Sequence, residues 1–266
     1  MKTILITGAT DGIGRETARQ LLALGHQVLL HGRTLERAQQ TIQTLDASAA
    51  VPVWGDLAEM RQVLALAAQV RQQAPTLDVL IHNAGVYEHQ RRLTVDGFEM
   101  TLAVNHFAPF LLTQALLETI QASPQGRIVT VSSVAHQGAR LDLNDLTFAR
   151  RFDGYVAYAT SKLANILFTQ ALARRLAGPA ATANCLHPGV IDTKLLRSGF
   201  DRDGASVADG ARTSVYLATA DAVRAVTGQY FVDSRPARPM AIARDTRLAE
   251  ALWQASMTAL EPFLAR

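Results

Sequence analysis

The chain has 266 residues, of which 48% are hydrophobic and 18% are charged, and a chain of this size buries a large core as one domain over residues 1–266. Its formal net charge is only +3 and its arginines are dispersed, which argues against a tract that binds nucleic acid. No apolar run approaches the roughly 18 residues of a membrane span, so we expect a cytoplasmic protein with no membrane anchor.

Short strand patterns alternate with helical patterns along most of the chain. The predicted strands cover residues 2–6, 27–31, 51–54, 78–82, 127–131, 182–186 and 229–232. The predicted helices cover residues 13–24, 35–45, 59–73, 98–120, 156–176 and 207–218. This alternation predicts a single-domain α/β Rossmann fold, a doubly wound parallel sheet of about seven strands with helices on both faces. Ligands of such sheets bind at the carboxyl ends of the strands.

A glycine-rich turn follows the first predicted strand, where residues 7–14 read TGATDGIG. Glycines let the backbone turn tightly and approach a pyrophosphate, and the N-terminus of the following helix stabilises its charge. Glycines alone also mark ordinary turns. Because a strand precedes these glycines and a helix follows them, the pattern favours a dinucleotide site.

The second predicted strand ends in His31-Gly32-Arg33, about twenty residues beyond the last glycine, where dinucleotide folds place the group that reads the adenosine ribose. An acidic residue would accept from the 2′-hydroxyl of NAD. Here we expect Gly32 to leave space and the Arg33 guanidinium to pair with a 2′-phosphate. The sequence therefore favours NADP, and the alternative is a surface arginine that begins a helix.

Tyr158 and Lys162 lie four residues apart on one predicted helix face, close enough to interact. A tyrosine near its reference pKa of about 10 exchanges protons poorly at neutral pH, and a neighbouring cation is expected to lower that pKa. The Tyr-x-x-x-Lys pattern is common by chance. Its combination with a nucleotide-binding turn is far more specific.

With these motifs the sequence resembles the short-chain dehydrogenase/reductase family along its whole length. Besides the glycine-rich turn and the Tyr158/Lys162 pair, the matching features are Asp56-Leu57, Asn83-Ala84-Gly85, Asn105, Ser132-Ser133 and Pro188-Gly189. The resemblance implies a catalytic set of Asn105, Ser133, Tyr158 and Lys162. Ser133 is chosen over Ser132 because it matches the family's catalytic position.

The same resemblance implies a role for each of these residues. Ser133 would bind the substrate oxygen, Tyr158 would exchange its proton, and Lys162 would hold the nicotinamide ribose, with Asn105 supporting a water relay to Lys162. Asp56 would lie near the adenine and Thr193 near the carboxamide. The implied cofactor-binding residues are Gly8, Thr10, Asp11, Gly12, Ile13, Gly14, Arg33, Asp56, Leu57, Asn83, Ala84, Gly85, Tyr158, Lys162, Pro188, Gly189, Val190 and Thr193.

Several later stretches are similar to the retinol dehydrogenase-like branch of the family, including Ser161-Lys162-Leu163-Ala164-Asn165, His187-Pro188-Gly189-Val190 and Gly228-Gln229-Tyr230-Phe231. The expected substrate is a small carbonyl compound or alcohol. We expect two segments, residues 135–157 and 195–200, to form an apolar wall of the substrate pocket. The apolar residues concerned are Leu141, Leu143, Leu146, Phe148, Phe152, Tyr155, Leu195, Leu196 and Phe200. Several of these residues could equally be ordinary core. A terminal hydrophobic anchor is not evident, which argues against membrane association and a retinoid substrate.

Three functions remain open at this point. The leading one is NADP-linked interconversion of an apolar aldehyde or ketone and its alcohol. The others are reduction of an activated C=C bond, since the branch also resembles protochlorophyllide reductase, and a nucleotide-binding regulator without turnover. The family implies a homodimer or homotetramer, with a monomer as the alternative.

The remaining reactive residue types give weaker signals. The histidines lack the spacing of metal ligands, so no metal is predicted, and the single cysteine, Cys185, lies in an apolar run and is expected to be a buried thiol. No Gly-x-Ser-x-Gly elbow supports a hydrolase. Residues 194–206 could form a mobile lid over the substrate or a plain surface loop.

Overall fold

The computed structural model describes residues 1–176, 181–200 and 203–264. A single sheet crosses this part of the chain in the order β3-β2-β1-β4-β5-β6-β7-β8. Its strands are β1 (Thr3–Ile6), β2 (Gln27–Gly32), β3 (Ala50–Trp54), β4 (Val79–His82), β5 (Gly126–Val131), β6 (Ala181–His187), β7 (Tyr230–Val232) and β8 (Arg235–Ala237). The strands β1 to β7 pair in parallel, as predicted.

Helices cover both faces of the sheet, which confirms the doubly wound fold. They are α1 (Gly12–Ala23), α2 (Leu35–Leu45), α3 (Met60–Gln73), α4 (Met100–Leu102), α5 (Ala108–Gln121), α6 (Gly154–Arg175), α7 (Lys194–Phe200), α8 (Val207–Thr219) and α9 (Thr246–Leu264). One apolar core joins the sheet to α1, α2 and α8, and a second joins its other face to α3, α5, α6 and α9. The strand order reverses between β1 and β4, which opens a crevice at their carboxyl ends.

The prediction of about seven strands was one strand short. The eighth strand, β8, pairs antiparallel with β7 at the edge of the sheet. Its three residues include Pro236, which lacks a backbone N–H and is tolerated in a sheet only where no ladder donor is needed. Such a short, proline-containing edge strand has almost no sequence pattern.

The predicted helix over residues 98–120 is interrupted by a π-helical turn, Ala103–Phe107, between α4 and α5. The stretch Met100–Gln121 is apolar and long enough to cross a membrane by length and composition, but 78% of its most apolar window is buried inside the protein. It therefore packs as a core helix. Single π turns often occur at functional sites, and this one carries Asn105.

The last helix, α9, was not predicted from the sequence, and it packs across α6. Trp253 stacks on Phe168 of α6 at 6.1 Å between ring centroids and 12° between planes, and it also contacts Phe110 of α5 at 4.7 Å. The guanidinium of Arg175 lies 4.0 Å from the centroid of the Trp253 ring. These contacts bury the apolar face of α9 and close the second core.

Candidate functional site

A cavity of about 710 Å³ opens at the carboxyl ends of the strands. Every residue predicted to bind the cofactor lines it, and so does Ser133. Asn105 is fully buried behind the wall of the cavity. The structure thus brings together in one place residues that lie as far apart in the sequence as Gly8 and Thr193.

The glycine-rich turn is fixed by hydrogen bonds to both backbone polar groups of Gly8. Its N–H donates to Nδ1 of His31 at 3.0 Å, and its carbonyl accepts from Nδ2 of Asn83 at 3.1 Å. Gly8 adopts φ +63, which favours glycine. A Cβ on Gly14 would come within 2.2 Å of the Gly8 carbonyl oxygen, so α1 can approach the turn only with glycine at that position.

Arg33, the basic residue predicted to select the cofactor, directly follows β2. Nε of Arg33 lies 3.8 Å from Oδ2 of Asp56, and the Arg33 side chain is 61% exposed. The expectation that Gly32 leaves space was wrong: a Cβ there would lie 2.9 Å from Cγ2 of Thr10 and 3.0 Å from the Ala38 nitrogen. Glycine is needed at this position because the neighbouring turn and the start of α2 pack directly against it.

The glycine-rich turn is also joined to α7 across the opening of the cavity. Nζ of Lys194 lies 2.6 Å from Oδ2 of Asp11, and the pKa of that carboxyl is lowered chiefly by its hydrogen bond to Lys194. The other oxygen of Asp11 accepts from the backbone N–H of Gly12 at 2.8 Å, which caps α1. Thr193 accepts from the Leu196 N–H at 3.2 Å, so it also orients the first turn of α7.

Tyr158 and Lys162 lie side by side on α6, which begins after an N-cap at Asp153. Nζ of Lys162 lies 5.5 Å from the centroid of the Tyr158 ring and donates a 3.1 Å hydrogen bond to the carbonyl of Val131 at the end of β5. The hydroxyl of Ser132 donates to the Lys162 carbonyl at 2.7 Å. The end of β5 therefore anchors this turn of α6 through both its backbone and its side chains.

Burial dominates the titration of this pair. It raises the pKa of Tyr158 to about 12, although the Ser133 hydroxyl pulls in the opposite direction, and it lowers the pKa of Lys162 to about 8. The net shift of the Tyr158 pKa is therefore upward, and the expected lowering by Lys162 stays a prediction. The reason is that the loss of solvation disfavours the phenolate by more than the hydrogen bond from Ser133 favours it.

Ser133 is the second residue after β5 and caps a short 3-10 helix, where its hydroxyl accepts from the N–H of Ala135 at 3.1 Å. Its carbonyl lies 2.7 Å from Nδ1 of His136, whose Nε2 accepts from the N–H of Met240 at 3.2 Å. A carbonyl only accepts, so the imidazole donates from Nδ1. His136 thereby ties the backbone of Ser133 to the segment that follows β8.

Asn105 is held by hydrogen bonds that span two other elements. Its side chain accepts from the N–H of Val86 at 2.8 Å and donates to the hydroxyl of Ser161 at 3.0 Å. A Cβ on Gly85 would lie 3.5 Å from Nζ of Lys162 and 3.6 Å from Oδ1 of Asn105. Glycine at position 85 therefore leaves the space between these two polar groups open.

Comparison with known proteins places this geometry in a family. The model of the family described as short chain dehydrogenase matches residues 2–203. The chain belongs to the short-chain dehydrogenase family. Human retinol dehydrogenase 14 is 38% identical to this short-chain dehydrogenase over 288 residues, which cover 96% of this chain and 85% of that protein. Human retinol dehydrogenase 12 is 37% identical over 268 residues, with coverage of 96% and 85%.

Solved structures agree with this assignment. A crystal structure of an uncharacterised protein from Mycobacterium paratuberculosis matches this chain with a TM-score of 0.83 at 33% identity, covering 98% of this chain and 94% of that one. A short-chain dehydrogenase from Shigella flexneri, solved in complex with NADP, gives a TM-score of 0.71 at 27% identity, covering 88% and 97%. The identities to human retinol dehydrogenases 14 and 12 confirm the resemblance to the retinol dehydrogenase-like branch.

The apolar residues that we expected around the substrate of this short-chain dehydrogenase divide into two groups. Tyr155, Leu195, Leu196 and Phe200 line the cavity. Phe148 is buried in the core, and the expectation that it lines the cavity was wrong, as it was for four residues that pack against the core: Leu141, Leu143, Leu146 and Phe152.

The predicted lid region over residues 194–206 begins as the helix α7, while residues 201–202 lie outside the described part of the chain. Phe200 ends α7 and packs against Tyr87 at 5.2 Å between ring centroids. Whether the segment moves stays a prediction.

Several cavity residues of this short-chain dehydrogenase were missed from the sequence. His31, Arg37 and His187 all line the cavity, and Nδ1 of His187 accepts from the N–H of Val134 at 3.3 Å. A histidine inside the apolar run QVLLHG was a signal for His31, because a buried strand accepts such a residue only when its polar atoms are satisfied. Within residues 1–176, 181–200 and 203–264, no cluster of three potential metal ligands occurs.

Proposed function

We propose that this short-chain dehydrogenase is an NADP(H)-dependent oxidoreductase that interconverts a carbonyl compound and an alcohol. The observation that carries the proposal is that one cavity holds both the glycine-rich turn and the group of Ser133, Tyr158 and Lys162. A binding protein without turnover would have no use for a buried phenol beside a buried amine at the far end of a nucleotide cavity.

The residues around the glycine-rich turn fit a dinucleotide. The backbone of Gly8 and the N-terminus of α1 suit a pyrophosphate, and the close packing of Gly14 leaves no side chain in the way. Arg33, just before the N-cap of α2, and Arg37, in the first turn of α2, both line the cavity, and their guanidinium groups suit a 2′-phosphate. This donor set favours NADP over NAD.

When bound, the nicotinamide supplies or accepts the hydride. Hydride arriving at a carbonyl carbon leaves an alkoxide that needs both a hydrogen-bond donor and a proton. The Ser133 hydroxyl would donate to the substrate oxygen, and Tyr158, which is protonated at neutral pH because burial raises its pKa to about 12, would transfer the proton.

Lys162 would assist this proton transfer from its place beside the Tyr158 ring. Its ammonium stabilises negative charge on the phenol oxygen after the proton has left. Its hydrogen bond to the Val131 carbonyl fixes the direction of the side chain. Asn105 acts through its bonds to Val86 and Ser161, which hold this region of α6 against the loop after β4.

The walls near Tyr158 suggest an apolar substrate. Leu195, Leu196 and Phe200 come from α7 and Tyr155 from α6, and each lines the cavity. Each methylene buried there contributes about 0.8 kcal/mol. We therefore propose medium-chain or aromatic aldehydes and ketones as the substrate class.

The proposal is tested by following NADPH consumption over a graded series of aldehydes and ketones, with thermal shifts measured for NADP and NAD alongside. We expect kcat/KM to rise along a homologous aldehyde series until the cavity is filled, and NADP to stabilise the protein more than NAD. Identifying the products separates carbonyl reduction from reduction of a conjugated C=C bond. Absence of turnover over the whole series, with NADP still bound, would instead support a regulator.

A further inference from the structure

His31 joins two loops of the nucleotide cavity through its two ring nitrogens. It is the last residue but one of β2, and 3% of the residue is exposed. Nδ1 accepts from the backbone N–H of Gly8 at 3.0 Å, and Nε2 lies 2.9 Å from the carbonyl oxygen of Gly55. A backbone N–H can only donate and a carbonyl can only accept, so Nδ1 is unprotonated and Nε2 carries the hydrogen.

The two peptide groups that this imidazole joins belong to different crossovers. Gly8 lies in the turn between β1 and α1, and Gly55 follows β3 and directly precedes Asp56. Gly8, His31 and Gly55 all line the cavity. Nδ2 of Asn83 donates to the Thr7 carbonyl at 2.9 Å, and this carbonyl belongs to the same peptide group as the Gly8 N–H, so His31 supplies the second of two constraints on that peptide group.

The chemistry of His31 favours one fixed form. Burial lowers its pKa to about 4, whereas the hydrogen bond to Gly55 and the charge of Asp56 act weakly in the opposite direction. The imidazole is therefore neutral at physiological pH and keeps both hydrogen bonds. A residue whose partners are all backbone atoms acts on the shape of the loops, since it touches no reacting atom.

We propose that His31 is a positioning residue for the cofactor, which holds the Gly8 peptide and the Gly55-Asp56 turn in the geometry that binds the pyrophosphate and adenosine parts of NADP. The proposal rests on the proposed function in that it takes NADP as the nucleotide. It goes beyond it by assigning a role in affinity to a residue outside the glycine-rich motif and outside the catalytic group.

The test compares three substitutions at His31 with a control at the residue that precedes the same strand. His31→Phe fills the volume and removes both hydrogen bonds. His31→Asn keeps an acceptor near the position of Nδ1, whereas His31→Gln keeps a donor near the position of Nε2. The control is His26→Phe, because His26 precedes the other end of β2 and also accepts a backbone hydrogen bond, from Lys2 at 3.3 Å.

Binding is measured on the whole protein with NADPH and with adenosine 2′,5′-bisphosphate, a fragment that lacks the nicotinamide. Hydrogen exchange of residues 7–14 is followed without nucleotide. We expect His31→Phe to raise both Kd values about tenfold and to accelerate exchange in the glycine-rich turn, with kcat unchanged at saturating cofactor. His31→Asn should recover most of the affinity and His31→Gln less, while His26→Phe changes neither Kd by more than about twofold.

Nucleotide affinity within about twofold of the original protein in a folded His31→Phe variant would overturn the proposal. If that variant does not fold, His31→Gln decides the question, because it keeps the donor to Gly55 but not the acceptor for the Gly8 N–H, and it should therefore bind the nucleotide more weakly than the original protein. The proposal is overturned if His31→Gln binds the nucleotide as tightly as the original protein, or more tightly than His31→Asn does. Failure of the proposed function itself looks different, since the unmodified protein would then bind NADPH without reducing any carbonyl compound.

Discussion

Phe200, the last residue of α7, packs its ring at a steep angle against Tyr158, with 5.7 Å between the ring centroids and 68° between the ring planes. The segment after β6 therefore covers the residue that we assign to proton transfer. This relationship makes α7 part of the substrate wall, because Phe200 also lines the cavity.

Replacing Phe200 with alanine should raise KM for apolar aldehydes about five- to tenfold, because the substrate loses an aromatic wall beside Tyr158. The Kd for NADPH should stay unchanged. Phe152→Ala is the matched control, since Phe152 packs against the core and does not line the cavity. KM is measured by steady-state kinetics, and equal KM values for the two variants would refute the assignment of Phe200 to the substrate wall.

Arg33→Ala should remove most of the preference for NADPH over NADH. Loss of one charge-assisted contact to the 2′-phosphate raises the Kd for NADPH about ten- to hundred-fold, while the Kd for NADH hardly changes. Arg37→Ala should act in the same direction, because Arg37 lines the same cavity from the first turn of α2. Fluorescence titration gives both constants, and equal affinity of the unmodified protein for the two cofactors would refute the assignment.

Lys162 should make stability depend on alkaline pH. Its folded pKa of about 8 lies below the unfolded value of 10.5, so the unfolded chain holds the proton more tightly between these values and stability rises with pH across that window. Below pH 8 Lys162 is protonated in both the folded and the unfolded state, so the buried charge lowers the free energy of unfolding by its full amount. Urea unfolding of Lys162→Met and of the original protein measures this cost.

The advantage of the methionine variant should shrink by about 2–3 kcal/mol between pH 7 and pH 10. Tyr158 and Cys185 also titrate abnormally, with pKa values raised to about 12 by burial, but they are present in both proteins and cancel in the difference. A difference that stays constant with pH would show that Lys162 is not charged and desolvated at neutral pH.

Trp253→Ala should lower the free energy of unfolding by about 3–5 kcal/mol, because the indole stacks on Phe168 and contacts Phe110 in the core between α6 and α9. Trp54→Ala is the control, since Trp54 is 39% exposed at the end of β3. Urea unfolding should separate the two variants clearly. A loss of less than about 1 kcal/mol at Trp253 would show that α9 packs loosely.

Local patterns were enough to predict most of the sheet, the glycine-rich turn, Arg33 and the Tyr158/Lys162 pair, whereas the other site residues followed from the resemblance to the short-chain dehydrogenase family. The glycine-rich turn and the Tyr158/Lys162 pair can be recognised from a few neighbouring residues, because the residue types and their spacing indicate the chemistry. The direction of a side chain outside a regular element does not follow from such a stretch. Phe148 and Phe200 are equally apolar in sequence, yet one is buried in the core and the other lines the cavity.

The features that were missed depend on contacts between distant residues. His31 is recognised as part of the site only when Gly8 and Gly55 are seen to flank it. The direction of the Tyr158 pKa shift depends on burial, which neighbouring residues in the sequence do not reveal. β8 forms because β7 offers it an edge, since its own three residues have little strand propensity.

The most direct test of the account is the transfer of deuterium from NADPH labelled at C4 of the nicotinamide to an aldehyde or ketone found in the activity screen, measured by mass spectrometry of the product. The account predicts one deuterium on the former carbonyl carbon. It also predicts a transfer rate about 10²- to 10⁴-fold lower in Tyr158→Phe, a variant that keeps the ring and its packing and still binds NADPH. Deuterium on a carbon of a reduced C=C bond, or an unchanged rate in Tyr158→Phe, would contradict it.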